Sequence, residues 1–224
     1  MNRSHHDTVR RRFERDAESF DAIYRLERSP FWRYVNTTLR KAVFERYEIT
    51  FQQAGDVTGK KVLDVGCGSG VYSVDFARRG AARVVGVDFS GNMLKIARQE
   101  AAQHGVADRC EFVLADFMEL DLDEWFDVSV AMGVFDYVPE QVPFLRKMAE
   151  LTTGKLIVAF PGRSLLREPA RRLRYRLTGK GEIYLYDRED VEHIAAEAGL
   201  RDKEIIRIHS SGGVYVLVGN ADLP

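Results

Sequence analysis

A short apolar stretch that runs directly into three alternating glycines constrains the fold of this chain more than any other feature. Lys61–Val65 has the β-branched pattern of a buried strand, and Gly66, Gly68 and Gly70 follow it at once. Glycine permits backbone angles and close approaches that a β-carbon blocks. In open α/β folds, ligands bind at the carboxyl edge of the sheet, where such a loop emerges. The stretch therefore predicts an α/β fold with a cofactor at the end of this strand.

Strand-like and helix-like segments alternate along the chain on either side of this loop. Helices are predicted at 5–20, 30–54, 71–79, 90–104, 140–151 and 188–198, and further strands at 83–88, 111–115, 126–132, 155–160, 202–208 and 213–219. Such alternation is typical of βαβ units in a mostly parallel sheet. A Ser-Ser-Gly-Gly turn between the last two strands predicts an antiparallel hairpin. The whole pattern predicts one doubly wound sheet.

Composition narrows the classes of partner and site. The 224 residues include 33 basic and 34 acidic side chains, so the net charge of -1 does not point to a nucleic-acid partner. The N-terminus is polar and no run of about 18 apolar residues occurs, which predicts a cytoplasmic protein. Cys67 and Cys110 have no Cys or His nearby at metal-ligand spacing, so neither a disulfide framework nor a metal site is expected.

The spacing of the glycines distinguishes between classes of nucleotide cofactor. Dinucleotide-binding loops place the third glycine three residues after the second, whereas Gly70 follows Gly68 by only two. Asp88 ends the next strand, where a carboxylate can accept hydrogen bonds from ribose hydroxyls. Asp116 follows the third strand and can accept a hydrogen bond from the amine of adenine. These acids favour an adenosine cofactor that needs no phosphate site at a helix end.

The run Asp64-x-Gly66-x-Gly68-x-Gly70, together with Asp88 and Asp116, resembles the class I S-adenosylmethionine-dependent methyltransferases. The resemblance covers about residues 60–160 and extends beyond them in layout. It implies a Rossmann-like, doubly wound, seven-stranded sheet of order 3-2-1-4-5-7-6, with strand 7 antiparallel. It also implies S-adenosyl-L-methionine as the cofactor, with its ribose on Asp88 and its adenine amine on Asp116. The further cofactor contacts that it implies are Asp64, Gly66, Cys67, Gly68, Gly70, Phe89, Met93, Phe117, Met132 and Gly133.

The segment after the fourth strand is where this family presents residues to the methyl acceptor. Residues 132–139 lack the Asn/Asp-Pro-Pro-aromatic run of amino-group methyltransferases and resemble the small-molecule subgroup. Asp136 or Tyr137 stands where that subgroup commonly has a histidine, so both are candidate catalytic bases. A carboxylate acceptor would need no base. A helix cap at Asp136 and a packing role for Tyr137 are equally compatible with the sequence.

An arginine-rich segment, 163–176, is the second indication of the acceptor. It holds six arginines and one acid, and arginine binds carboxylates and phosphates bidentately. Its leucines also permit an amphipathic helix that contacts a membrane surface, and a solvated arginine face is a third alternative. The layout loosely resembles magnesium-protoporphyrin IX O-methyltransferases, which methylate a propionate carboxylate of a large acidic ring. The expected acceptor contacts are Tyr24, Arg163, Arg167, Tyr184 and Tyr186.

These predictions combine into one methyltransferase domain over residues 1–224. Its parts are an N-terminal helical lid (1–55), a cofactor-binding core (60–160) and a substrate-side insertion (163–187). The expected reaction moves a methyl group to an oxygen or nitrogen of a small, acidic or lipophilic molecule, by a monomer or a homodimer. The alternatives are an RNA or protein methyltransferase that uses the arginine-rich helix, and a non-catalytic cofactor-binding partner subunit.

Overall fold

The computed structural model describes residues 14, 41–163, 183–208 and 213–220, and every structural statement below concerns these residues. They form five helices and seven strands besides the helical Glu14. In chain order these are α1 (Lys41–Ala54), β1 (Lys61–Val65), α2 (Val71–Arg78), β2 (Arg83–Asp88), α3 (Gly91–Gln103), β3 (Cys110–Leu114), β4 (Phe126–Met132), α4 (Gln141–Glu150), β5 (Thr152–Pro161), α5 (Arg188–Glu197), β6 (Lys203–Ile208) and β7 (Val214–Asn220).

The strands form one sheet in the order β3-β2-β1-β4-β5-β7-β6. Strands β3, β2, β1, β4 and β5 pair in parallel, and β7 is antiparallel to both β5 and β6. The predicted fold and the predicted hairpin are therefore confirmed. Because β3, β2, β1 and β4 are parallel neighbours, their carboxyl ends lie side by side at one edge of the sheet.

Both faces of the sheet are covered, which explains why its central strands are apolar throughout. Side chains along a strand alternate between faces, so Val62 lies in one core cluster and its neighbour Leu63 in the other. Helices α1, α2 and α3 cover the first face, to which they contribute Phe51, Phe76 and Leu94. Helices α4 and α5 cover the second face with residues such as Leu145 and Val191. The result is a three-layer α/β sandwich.

Polar residues fix the starts of two helices near the carboxyl edge. The Ser90 hydroxyl accepts a hydrogen bond from the Met93 N–H at 3.3 Å, which confirms the predicted cap of α3. At α5, Asp187 and Asp190 form a reciprocal capping box with two bonds of 2.9 Å. Both caps satisfy backbone donors that the first helical turn cannot use.

The observed elements differ from the sequence-based expectations in a few places. Strand β5 begins at Thr152 rather than residue 155, and Pro161 still pairs with Val214. Gly154 lies there because a β-carbon would come 2.5 Å from the Asp127 carbonyl oxygen, at an irregularity in the β4–β5 pairing. Strand β3 is shifted by one residue toward the N-terminus. The helix predicted at 5–20 (apart from Glu14), residues 30–40 of the helix predicted at 30–54, and the arginine-rich segment beyond Arg163 lie outside the described residues. In the described part of the chain, no helix combines the length and apolar character needed to cross a membrane.

Candidate cofactor site

The three glycines of the loop after β1 have left-handed backbone angles, with φ of 68° at Gly66, 54° at Gly68 and 80° at Gly70. A β-carbon on Gly66 would lie 2.3 Å from Cγ2 of Val134, and one on Gly70 would lie 2.8 Å from Cβ of Ala97. A β-carbon on Gly68 would meet nothing within 4 Å. Gly66 and Gly70 therefore allow close packing inside the protein, while Gly68 presents bare backbone to open space, which is called the cleft below.

Asp88 lies directly beside this opening. Its carboxylate accepts hydrogen bonds from the Gly68 N–H at 2.9 Å and the Ser90 N–H at 2.8 Å. The Phe89 backbone also donates to this carboxylate, and because a carboxylate has about four acceptor positions, capacity remains for a ligand hydroxyl such as that of a ribose. Burial raises the pKa of Asp88 to about 6, although these backbone hydrogen bonds act in the opposite direction. Asp88 therefore ties the end of β2 to the glycine loop and still has capacity to bind a ligand.

Asp64 supports the glycine loop from the interior of the protein. Its side chain is almost completely buried, and its carboxylate accepts a hydrogen bond of 2.6 Å from the Ser73 hydroxyl on α2. Burial raises the pKa of Asp64 to about 7, and the charge of Asp88 adds to this effect. The sequence did not single out Ser73, because a lone serine in a helix carries no motif. The bond links β1 to α2 across the glycine loop.

The raised pKa values predict how stability depends on pH. Between about pH 4 and pH 7, the folded protein holds more protons on Asp64 and Asp88 than the unfolded chain does. These two groups therefore favour folding more strongly as the pH falls through that window, and the contribution is lost as the pH rises. Asp64→Asn removes one of these two titrating groups. It keeps the contact with α2, because the amide oxygen of the asparagine can still accept a hydrogen bond from the Ser73 hydroxyl.

We expect the free energy of unfolding of Asp64→Asn to rise relative to that of the unaltered protein as the pH increases from 5 to 7.5. The limiting slope for one proton is about 1.4 kcal/mol per pH unit. Urea unfolding at a series of pH values measures the difference between the two proteins, so the titration of other carboxylates largely cancels. Parallel pH profiles would contradict an ionisable Asp64 in this range.

The turn after β3 carries the third acid. Asp116 is half-buried, and its Oδ1 accepts a hydrogen bond of 2.9 Å from the Met118 N–H. The preceding residue is tied to β2, because the Ala115 N–H donates to the Asp88 carbonyl oxygen at 3.1 Å. Asp88 and Asp116 therefore lie at the carboxyl ends of adjacent strands, and their roles toward ribose and adenine stay predictions.

Gly133 follows β4 directly and precedes Val134, the residue that packs against Gly66. An Arg46 guanidinium nitrogen lies 3.6 Å from the position that a β-carbon on Gly133 would take. Arg46 belongs to α1 and no motif marks it, so sequence reasoning missed it. Met132, just before Gly133, is buried, and its sulfur accepts a hydrogen bond of 3.4 Å from the Thr50 hydroxyl, also on α1. Helix α1 thus places a cation beside Gly133.

Side chains at several predicted contact positions point into the core. Cys67 is buried, and its sulfur lies 2.9 Å from where a β-carbon on Gly86 would be, so only its backbone can border the cleft. Met93 is buried in the first turn of α3. Phe117 is buried against Phe144, with ring centroids 5.0 Å apart. Phe89 is half-buried next to Asp88 and remains the predicted packing surface for adenine.

The loop with the candidate bases is fastened to the segment before α5. The Tyr186 hydroxyl donates to the Phe135 carbonyl oxygen at 3.0 Å, and the Tyr184 N–H donates to the Asp136 carbonyl oxygen at 3.0 Å. Burial raises the pKa of Tyr186 well above its usual value. Tyr186 therefore supports this loop, and its predicted contact with the acceptor stays a prediction. Asp136 and Tyr137 are half-buried beside it, and their role as bases stays a prediction.

Arg163 is also used within the protein. Its guanidinium pairs with Asp187 and Asp190 at 3.1 Å each, and its backbone N–H donates to the Tyr186 carbonyl oxygen at 2.9 Å. These contacts attach Arg163 to the segment at the start of α5, and its predicted contact with the acceptor stays a prediction. Tyr24 and Arg167 lie outside the described residues.

Glu14 connects the N-terminal part of the chain to the cofactor edge. Its Oε1 accepts a hydrogen bond of 2.7 Å from the Gly91 N–H, and the Asn92 side-chain amide donates to its carbonyl oxygen at 2.8 Å. The start of α3 suits a carboxylate because helix N-termini carry partial positive charge. The charge of Glu14 also contributes to the raised pKa of Asp88. A covering role for the rest of this segment stays a prediction.

A family model described as a methyltransferase domain matches residues 56–199, which is more than half of the chain. This chain belongs to the methyltransferase family. The match spans the glycine loop, the acids after β2 and β3, and the loop after β4, so the methyltransferase recognised from the sequence is confirmed. Within the described ranges, no group of three or more His, Cys, Asp or Glu residues is placed to hold a metal ion.

Curated relatives of this methyltransferase include two ubiquinone biosynthesis O-methyltransferases. That of Pasteurella multocida is 40% identical over 118 residues, which is 49% of this chain and 48% of the relative. That of Neisseria meningitidis is 38% identical over 106 residues, which is 47% of this chain and 44% of the relative. The chain thus spans about half the length of the curated relatives that it matches.

Solved structures match over nearly the whole chain. Magnesium protoporphyrin IX methyltransferase from Synechocystis PCC 6803, with bound S-adenosylhomocysteine, has a TM-score of 0.74 at 22% identity and covers 96% of this chain and 98% of its own. Geranyl diphosphate C-methyltransferase from Streptomyces coelicolor A3(2) has a TM-score of 0.74 at 14% identity, with 98% of each chain covered. At such identities the likeness establishes the shared fold.

Proposed function

We propose that this protein transfers a methyl group from S-adenosylmethionine to an oxygen atom of a small, acidic or lipophilic molecule. The observation that carries the proposal is the opening at Gly68 beside the Asp88 carboxylate, within a chain of the methyltransferase family. This arrangement lets a ribose approach the backbone closely and donate its hydroxyl groups to Asp88. A dinucleotide would need a helix end shaped for its pyrophosphate, and the spacing of these glycines does not match that pattern.

The proposed orientation of the cofactor follows the charges along the cleft. Its ribose lies on Asp88 and its adenine amine meets Asp116. Its methionine part passes over the glycine loop toward Gly133, where Arg46 can pair with the carboxylate. Asp64 is buried beneath the loop, so its proposed contribution is to hold the loop in place rather than to contact the ligand.

In the proposed reaction, the main contribution of the protein is to align the two reactants. Bound S-adenosylmethionine supplies an electrophilic methyl group on a sulfonium. The loop at 133–137 would orient the acceptor oxygen in line with that group, and such alignment can contribute several kcal/mol to lowering the barrier. For a hydroxyl acceptor, Asp136 or Tyr137 would take the proton, whereas a carboxylate acceptor would be methylated without a base.

Several findings support an oxygen acceptor on a small molecule. The curated relatives named above carry O-methyltransferase names, and one structural neighbour is named for a porphyrin. Arg163 is the one arginine of the basic segment among the described residues, and it is paired with Asp187 and Asp190. These ion pairs leave Arg163 little role in binding a polyanion. The cytoplasmic location, the monomeric or homodimeric state and membrane contact through 163–176 stay predictions.

A transfer assay tests the proposal. The protein is incubated with methyl-labelled S-adenosylmethionine and fractionated bacterial lysate, and the label is followed into small-molecule, protein and RNA fractions. We expect label in the small-molecule fraction; release by mild alkali would identify a methyl ester, and mass spectrometry of a resistant product would distinguish the expected ether from an N-methyl or C-methyl product, which would contradict an oxygen acceptor. Label confined to RNA, with binding that weakens steeply with salt, would favour the polyanion alternative instead. Cofactor binding without transfer to any fraction would favour the non-catalytic alternative.

A further inference from the structure

Lys147 on α4 reaches across to the turn that follows β3. Its ammonium donates hydrogen bonds to three backbone carbonyl oxygens of that turn, those of Phe117 at 2.7 Å, Met118 at 3.2 Å and Leu120 at 2.5 Å. An ammonium has three N–H donors, so this one turn can use all of them. Such convergence on backbone oxygens marks a dedicated structural contact rather than a solvated lysine.

The turn itself is a single helical turn with Asp116 at its start. The Glu119 and Leu120 N–H groups both donate to the Asp116 carbonyl oxygen at 3.0 Å, and the Asp116 side chain accepts from Met118. A helix end leaves carbonyl oxygens without a partner inside the helix, and a cation there is favourable. The turn is thus closed by the Asp116 carboxylate at one end and by Lys147 at the other.

Aromatic packing adds to the same attachment. The Lys147 ammonium lies 5.0 Å from the centroid of the Phe117 ring, within range of a cation–π contact. The ring of Phe117 also packs against that of Phe144, which lies on the same helix as Lys147. Helix α4 therefore fixes both the backbone and the central side chain of the turn, which leaves Asp116 a narrow range of positions.

We propose that Lys147 is a positioning residue for adenine recognition. It holds the turn at 116–120 so that the Asp116 carboxylate meets the exocyclic amine of the cofactor. Lys147 does not contact the cofactor, and it acts only through the turn. The inference rests on the proposed function, because it assumes an adenine beside Asp116.

A ligand pair that differs only at the adenine amine isolates this role. The analogue of S-adenosylhomocysteine that has unsubstituted purine in place of adenine carries a hydrogen atom where the amine stands and keeps N1 as an acceptor, so it loses only the donation to Asp116. We expect the unaltered protein to prefer S-adenosylhomocysteine in calorimetric titrations. In Lys147→Met, which keeps an apolar stem but loses the donors, the ratio of the two affinities should fall about tenfold, equivalent to 1.4 kcal/mol. Lys147→Arg, which retains several donors, should recover part of the ratio.

Arg146→Met is the matched control. Arg146 lies next to Lys147 on α4 and donates to the Glu197 carbonyl oxygen at 2.6 Å, away from the cleft. Arg146→Met, like Lys147→Met, removes a hydrogen bond from an α4 side chain to a backbone carbonyl oxygen. The control therefore reports how the loss of such a bond affects ligand binding in general. We expect the affinity ratio of this variant to equal that of the unaltered protein. A merely structural role for Lys147 would lower both affinities together and leave the ratio unchanged.

The outcomes separate this inference from the proposed function. If the unaltered protein does not bind S-adenosylhomocysteine, the proposed function fails. If it binds and discriminates, but Lys147→Met discriminates equally well, the positioning role is overturned while the function stands. Should Lys147→Met not fold, Lys147→Gln, which keeps an amide donor, is measured in its place. In an Asp116→Ala background, substitution of Lys147 should cause no further loss of discrimination, and a further loss would overturn the inference.

Discussion

Asp88→Ala is expected to lower the affinity for S-adenosylhomocysteine by about 10- to 100-fold, because hydrogen bonds to a charged group contribute about 1.5–3 kcal/mol. The carboxylate holds the glycine loop through the Gly68 N–H and has acceptor capacity left for a ribose hydroxyl. Its removal takes away both the ligand contact and the tie between β2 and the loop. Isothermal titration calorimetry measures the change, and circular dichroism verifies that the variant is folded.

Arg46→Ala tests the proposed site of the cofactor carboxylate. We expect it to weaken S-adenosylhomocysteine binding while it leaves the binding of 5′-methylthioadenosine, which lacks the amino-acid part, nearly unchanged. Asp88→Ala should weaken both ligands, because both contain the ribose. Equal losses for both ligands in Arg46→Ala would contradict the proposed orientation of the cofactor. Unchanged affinity in Asp88→Ala would contradict the assignment of the ribose site.

Gly68→Ala is expected to reduce cofactor affinity by about 10- to 100-fold, with only a modest loss of stability. The added methyl group meets no protein atom within 4 Å, so the cost to the fold is limited to the left-handed backbone angle, about 1–2 kcal/mol. The same methyl group would occupy the cleft that the cofactor is proposed to cross, and overpacking typically costs about 1–3 kcal/mol.

Gly66→Ala should behave in the opposite way and mainly destabilise the protein. Its β-carbon would lie 2.3 Å from Val134 Cγ2, so the loop after β4 must move. The clash and the backbone angle together should lower the free energy of unfolding by about 2–5 kcal/mol. Urea unfolding and ligand titration of both variants separate the two effects. Full cofactor affinity in a folded Gly68→Ala protein would show that the cofactor does not pass there.

Much of the cofactor edge could be predicted from the sequence because it depends on local signals. Strands β1, β2 and β4 match their predicted bounds, since each is an apolar run that ends in a polar or glycine-rich loop. Asp88 and Asp116 could be placed at this edge because the end of a parallel strand fixes where the next residue lies, and their contacts with the cofactor stay predictions. Family resemblance then supplied the order of the strands.

What the sequence could not predict depends on contacts between distant segments. Arg46 and Lys147 reach Gly133 and the turn after β3 from helices whose sequences carry no functional motif. Tyr186 lies in an aromatic-rich stretch that favoured ligand binding, yet its hydroxyl is used on the Phe135 carbonyl. The start of β5 was missed because Thr-Thr-Gly is more typical of a turn than of a strand. Such roles follow from packing, which a single sequence does not reveal.

The central claim is that the cleft at Gly68 and Asp88 binds S-adenosylmethionine, and calorimetric titration of the unaltered protein with S-adenosylhomocysteine tests it most directly. We expect saturable binding of one ligand per chain, with affinity that falls below about pH 6 as Asp88 takes up a proton. The absence of binding at neutral pH, in protein shown to be folded, would contradict the assignment of the site.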